Sequence, residues 1–187
     1  MTSAAYLSLR EDAITRLTTW TAPSEAQERL RLDYLHHLAE HPDAMARSGP
    51  PAHLTGSAIV LDESGEHVLL THHPKARLWL QFGGHFEEGD ATVWHGAARE
   101  ALEESGIDSL TVLPDIVDLS RHALAASFGR CREHLDVRFA AIAPADAGHS
   151  VSEESLDVRW WPAARLPDGA PAVLVPLIRA AQRLSRR

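Results

Sequence analysis

The chain has 187 residues, 44% of them apolar and 24% charged, which suits one ordinary domain with some added elements. No apolar run reaches the roughly 20 residues that span a bilayer, the N-terminus lacks the basic flank and apolar core of a signal peptide, and Cys131, the single cysteine, excludes an internal disulfide and suits a reducing cytoplasm. The net charge is −8 and the basic residues are scattered, so a grip on duplex nucleic acid is not expected; a polyanionic small molecule would have to be held through a metal ion.

Leu9, Ala13, Ile14, Leu17 and Trp20 recur with helical period over residues 8–20, and Thr21-Ala22-Pro23 stops them. Ser24 followed by Gln27 reads as a capping box that opens a second helix to about residue 40, with Leu30, Tyr34, Leu35 and Leu38 on its apolar face. His41-Pro42-Asp43 and Ser48-Gly49-Pro50-Pro51 are breakers. They place a boundary between an N-terminal helical extension, residues 1–50, and a main domain, residues 51–187. The extension could cap a cleft or build a homodimer interface. Residues 54–61 and 67–72 read as a hairpin around Asp62-Glu63-Ser64-Gly65-Glu66, and 78–82 as a short strand leading into a glycine turn. A helix follows over 92–105, then strands over 110–118, 134–143 and 156–161, and an amphipathic helix over 174–185. The order α-α-β-β-β-α-β-β-β-α implies a mixed α/β sandwich rather than a regular βαβ array.

The glycine turn and the helix after it carry the chemistry. Glu100, Glu103 and Glu104 stand at i, i+3 and i+4, on one helical face. Like charges that close cost free energy unless a cation lies among them, and an all-carboxylate set suits a hard divalent ion, Mg²⁺ or alternatively Mn²⁺. The natural substrate of such a site is a phosphate or pyrophosphate.

Gly84, then an acid, then Arg99-Glu100-x-x-Glu103-Glu104-x-Gly106-Ile107, resembles the Nudix box. The box covers residues 84–107, and the flanking strands, with Trp160-Trp161-Pro162 ending a late one, extend the resemblance over about 52–187. Three departures stand out. Asp90 replaces the first glutamate of the box, and eight residues, 91–98, separate it from Arg99 instead of seven. Thr92 is a good N-cap, so the extra residue falls in the loop at Asp90-Ala91. Ala101 replaces a bulkier apolar residue.

The resemblance implies an α/β/α sandwich with a mixed sheet and the N-terminal helices added to it. It implies a Mg²⁺-dependent hydrolase that cleaves a phosphoanhydride in a nucleoside diphosphate-linked or related substrate. Glu100, Glu103, Glu104 and the Gly83 carbonyl would hold the metal, and Arg99 would orient the carboxylates. Glu103, or Glu153 or Glu154 on the loop before the late strand, would take the proton of the attacking water. Gly84 and His85, in the glycine turn, would meet the substrate. Two other uses of the fold stand beside this one. A nucleotide-sensing module tends to lose box glutamates, whereas all three remain here. An isopentenyl diphosphate isomerase needs a cysteine in the strand region before the box, and this chain has none there.

The chain's twelve histidines raise zinc as a second metal. His37 and His41 stand at i, i+4, but no HExxH motif occurs, and surface histidines are the expectation. Cys131 and His134 are three apart and lack an orienting third group, so a spectator cysteine is expected. His134 and Asp136 share one face of a strand. Trp79, Trp160 and Trp161 could stack on a base or fill the core.

Overall fold

The computed structural model describes residues 3–125, 129–145, 147–152 and 155–186. Its elements are α1 (Ala4–Thr19), α2 (Glu25–Glu40), β1 (Ala52–Asp62), β2 (His67–His72), β3 (Trp79–Leu80), β4 (Phe82–His85), α3 (Val93–Ser105), β5 (Thr111–Val112), β6 (Asp118–Ala123), β7 (Glu133–Ala143), β8 (Val158–Pro162) and α4 (Leu174–Leu184). The strands form one hydrogen-bonded sheet in the order β3-β2-β1-β7-β5, with β4 on β1, β6 on β7 and β8 on β2. This is the α/β architecture, with two helices ahead of the sheet, that the sequence implies. Among the described residues no helix is long and apolar enough to cross a membrane.

Two strands depart from the expected pattern. The stretch 110–118 is not one strand: β5 ends at Val112, Leu113 donates its N–H to the Ala140 carbonyl at 2.8 Å, and β6 begins at Asp118. Pro114 has no N–H to continue the ladder, so the chain turns there. The glycine turn itself is partly strand, since β4 contains Gly83 and Gly84. Glycine ranks low in strand propensity, and pairing with a neighbouring strand overrides that preference.

The chain packs into two compact units. The first comprises Met1–Gly56, Gly84–Ala97 and Asp118–Arg138. In it Leu9, Ala13 and Leu17 of α1 are buried, as are Tyr34 and Leu38 of α2. Ser24 accepts a hydrogen bond from the Gln27 N–H at 3.2 Å, the first half of the expected capping box. The Gln27 side chain does not return to the cap. It brackets Leu119 of β6, donating to its carbonyl at 2.9 Å and accepting from its N–H at 2.7 Å. The Tyr34 hydroxyl donates to the Ser120 carbonyl at 2.9 Å. Through these bonds α2 lies on β6. The Arg10 guanidinium donates to the Leu38 carbonyl at 2.8 Å and ties α1 to the last turn of α2.

The second unit comprises Ser57–Gly83, Ala98–Val117 and Phe139–Arg187. Its core joins Ile59 and Leu61 of β1, Val68 and Leu70 of β2 and Ala140 of β7 to Leu174, Leu177, Ile178 and Ala181 of α4. Each large apolar side chain so buried contributes about 1.5–3 kcal/mol. β2 pairs antiparallel with β8 over five residues, Val68 opposite Trp161 and Leu69 opposite Trp160. Trp161 and Trp79 pack against this core from its edge, with ring centroids 5.4 Å apart in an edge-to-face pair, and Trp79 also stacks on His72 at 5.0 Å.

One contact in the first unit bears on the chemistry. The Asp12 carboxylate of α1 accepts the Val93 N–H, the first of α3, at 2.9 Å. A carboxylate at a helix N-terminus satisfies an orphan donor and complements the dipole. Asp12→Ala is expected to lower stability by about 1–2 kcal/mol, a fall in Tm of roughly 2–6 °C. Thermal unfolding of the variant checks this, and an unchanged midpoint would show that the cap contributes nothing.

Candidate active site

α3 is set by caps at both ends. Thr92 Oγ1 accepts the His95 N–H at 3.1 Å, which makes Thr92 the N-cap. The turn before it closes on itself: the Asp90 carboxylate accepts the Glu87 N–H at 2.8 Å, and the Asp90 N–H reaches the Glu87 carbonyl at 3.1 Å. An aspartate is short enough to make this local bond to its own turn. The Phe86 ring then fits only because two glycines face it. A Cβ on Gly56 would stand 2.8 Å from that ring, and one on Gly96 would also collide with it. At the other end, Gly106 takes a left-handed φ of +66° and donates its N–H to the Leu102 carbonyl at 3.0 Å. A side chain there would strike Ser150. Ala101 is fully buried on the inner face of the helix, and a larger residue would have to displace its neighbours.

The three glutamates differ in environment. Glu104 is 8% exposed and accepts the Gly83 N–H at 3.0 Å, which fixes the end of α3 against the glycine turn within the second unit. Arg99 Nη1 donates to Glu100 Oε1 at 3.0 Å and to Glu103 Oε2 at 3.1 Å. The Glu100 side chain is 13% exposed and that of Glu103 63%. One guanidinium thus draws two carboxylates together while a third is held by backbone. Arg99, Glu100, Glu103, Glu104 and Gly83 therefore lie in one unit, where Arg99 joins Glu100 to Glu103 and Glu104 meets Gly83. The donors are all oxygen, with three negative charges against one positive, and this set fits a hard divalent cation. Gly84 and His85 follow Gly83 directly on β4. Glu153 and Glu154 lie outside the described residues.

His85 belongs to a second group that sequence reasoning missed. Its ring lies 5.1 Å from that of His53 on β1 and 5.1 Å from that of His134 on β7, and His53 and His134 are 5.2 Å apart. The Cys131 sulfur is 3.9 Å from His85 Nε2. Burial, and then the neighbouring imidazoles of His85, His122 and His53 with Arg47, push the His134 pKa down to about 3. His53 is lowered as well, first by burial. Both rings are neutral at ordinary pH. The only local signal of this group in the sequence is the spacing Cys131-x-x-His134. His37, by contrast, turns its ring to the Ala52 carbonyl at 3.0 Å.

A family model for the NUDIX domain matches residues 51–181. No curated protein matches the chain. Among solved structures, the chain is similar to the MutT protein from Methanosarcina mazei Go1, at 21% identity and TM-score 0.57, with 74% of this chain and 98% of that one covered. It is similar to the E. coli dihydroneopterin triphosphate pyrophosphohydrolase, at 18% identity and TM-score 0.57, covering 71% and 94%. It is also similar to a C. elegans Ap4A hydrolase, at 20% identity and TM-score 0.55, covering 70% and 96%. At these identities the likeness is one of fold.

Proposed function

From the premise that the chain belongs to the NUDIX domain family, we propose that this Nudix hydrolase cleaves a phosphoanhydride bond in a nucleoside diphosphate-linked or related small molecule, with Mg²⁺ as cofactor. The observation that carries the reading is the carboxylate cluster: Glu104 buried against the Gly83 N–H, and Glu100 and Glu103 gathered by Arg99. Glu100, Glu103, Glu104 and the Gly83 carbonyl would hold the metal. Bound there, Mg²⁺ neutralises pyrophosphate charge and makes water more acidic.

The chain's own residues do the rest. Arg99 offsets the repulsion among the glutamates, so the cluster stays assembled between turnovers. Glu103, the most exposed of the three, would accept a proton from the attacking water. The water oxygen bonds to phosphorus as the anhydride P–O bond breaks, and the leaving phosphate departs with that bonding pair. Gly84, in the glycine turn, would meet the substrate. Glu153 and Glu154 are the alternative proton acceptors. The names of two structural neighbours, which specify Ap4A and dihydroneopterin triphosphate, support a substrate with linked phosphates.

Calorimetric titration with ADP-ribose in the presence of Mg²⁺, followed by assay of the phosphate-containing products, separates an enzyme from a sensor. Turnover of this or another nucleoside diphosphate derivative is expected. Tight binding with no product from any member of a broad panel would favour the nucleotide-sensing reading.

A further inference from the structure

We propose that His53, His85, Cys131 and His134 form a four-coordinate Zn²⁺ site, made of residues other than the carboxylate cluster. All four lie in the first compact unit. Each offers one ligand atom, and these atoms lie within 4.8 Å of one another. A tetrahedral zinc ion with three imidazole nitrogens and one thiolate needs ligand separations of about 3.3–3.6 Å. Small side-chain rotations close that difference.

Two further observations point to a ligand. Among the described residues, His53 Nε2 and His134 Nε2 are buried ring nitrogens with no hydrogen-bond partner, and His53 is wholly inaccessible. Buried polar atoms are almost always paired, so two such atoms in one cluster require an explanation. A metal ion supplies it for both. The opposite nitrogen of His53, Nδ1, lies 3.0 Å from the Pro50 carbonyl. A histidine that donates one ring N–H to a carbonyl has its tautomer fixed and its other nitrogen presented as a lone pair, the usual support of a ligating imidazole.

The backbone holds the remaining ligands in place. Arg132 and Glu133, the two residues between Cys131 and His134, donate their N–H groups to the Pro51 carbonyl, at 2.8 and 3.3 Å. The Pro50-Pro51 pair thus braces one ligand through its first carbonyl and two through its second. Cys131 is 5% exposed, while His85 and His134 are half-buried. A closed set of three imidazoles and a thiolate selects zinc over the hard ions that suit carboxylates. Ligation would fix His85, and with it the chain immediately after Gly84. The inference does not rest on the hydrolytic reading.

The test is the metal content of the full-length protein, expressed with zinc in the medium and dialysed against zinc-free buffer containing Mg²⁺. About one zinc per chain is expected. In the Cys131→Ser, His134→Ala double variant it should fall at least tenfold, while Glu103→Gln, Glu104→Gln protein should keep it. If the double variant does not fold, wild-type protein loaded with Co²⁺ in place of zinc provides the second readout, an intense thiolate-to-metal charge-transfer band. Wild-type protein that retains no zinc and gives no such band overturns the proposal. So does zinc content unchanged by the double substitution.

Discussion

Glu103→Gln and Glu104→Gln proteins are each expected to lose about 10²- to 10⁴-fold in kcat on the substrate that wild type hydrolyses, the range associated with removal of a positioned acid–base group. The two substitutions should differ in their side effects. Glu103 is exposed and pairs with Arg99, so the glutamine keeps the shape and the fold is expected to be unperturbed. Glu104 is buried and accepts the Gly83 N–H. An amide can still accept that bond through its carbonyl oxygen, but it places a neutral group where the charge of a buried carboxylate is to be used. The Glu104 variant should therefore lose affinity for Mg²⁺ as well as rate, whereas Glu103→Gln should lose mostly rate. Steady-state kinetics over a Mg²⁺ titration reads both effects. Wild-type rates in both variants would remove the carboxylates from the mechanism.

The largest stability effect is expected away from this cluster, at Arg138→Ala. Arg138 and Asp118 make a two-pronged pair across β6 and β7, with nitrogen–oxygen distances of 2.6 and 2.9 Å, and both are almost fully buried. Removing the guanidinium strands a carboxylate in the interior, at a cost of about 3–5 kcal/mol. Burial already raises the Asp118 pKa, against the lowering effect of Arg138. Without Arg138 the pKa rises further. A group whose folded pKa exceeds its unfolded value stabilises the fold at low pH, where it is neutral, and that contribution is lost as pH rises through the folded pKa. The deficit of the variant relative to wild type is therefore expected to be smaller at pH 5 than at pH 8. Replacing both partners, Arg138→Met with Asp118→Leu, should cost much less than Arg138→Ala alone, because no charge is left behind. Urea unfolding at the two pH values measures all of this. A loss under about 1 kcal/mol, the same at both, would show that Asp118 finds water or another partner.

What the sequence made legible follows the range of the interactions. The glutamates of α3, the Thr92 cap and the Gly106 terminator all depend on residues within one or two turns, and their spacing alone places them. The apolar faces of α1, α2 and α4 are legible for the same reason. Gln27 was not, because its side chain leaves the capping box for Leu119, a residue far along the chain. β4 was hidden because glycine suppresses the local strand signal while a neighbouring strand supplies the pairing. Pro114 was visible, but whether the chain resumes its ladder after a proline depends on what lies opposite. The imidazole cluster was least legible of all. Its members come from β1, β4, β7 and the segment before β7, and only the fold brings them together. The Asp12 cap on α3 is similar: a carboxylate in the N-terminal helix has no sequence feature that says which helix it serves.

The central claim, metal-dependent phosphoanhydride hydrolysis, is tested most directly by product analysis. Wild-type protein is incubated with a panel of nucleoside diphosphate derivatives, with and without added Mg²⁺, and the products are identified. At least one substrate is expected to be split at a phosphoanhydride bond with Mg²⁺, with a loss of about 10²-fold or more in rate without it. Equal rates in both conditions, or no cleavage anywhere in the panel, would contradict it.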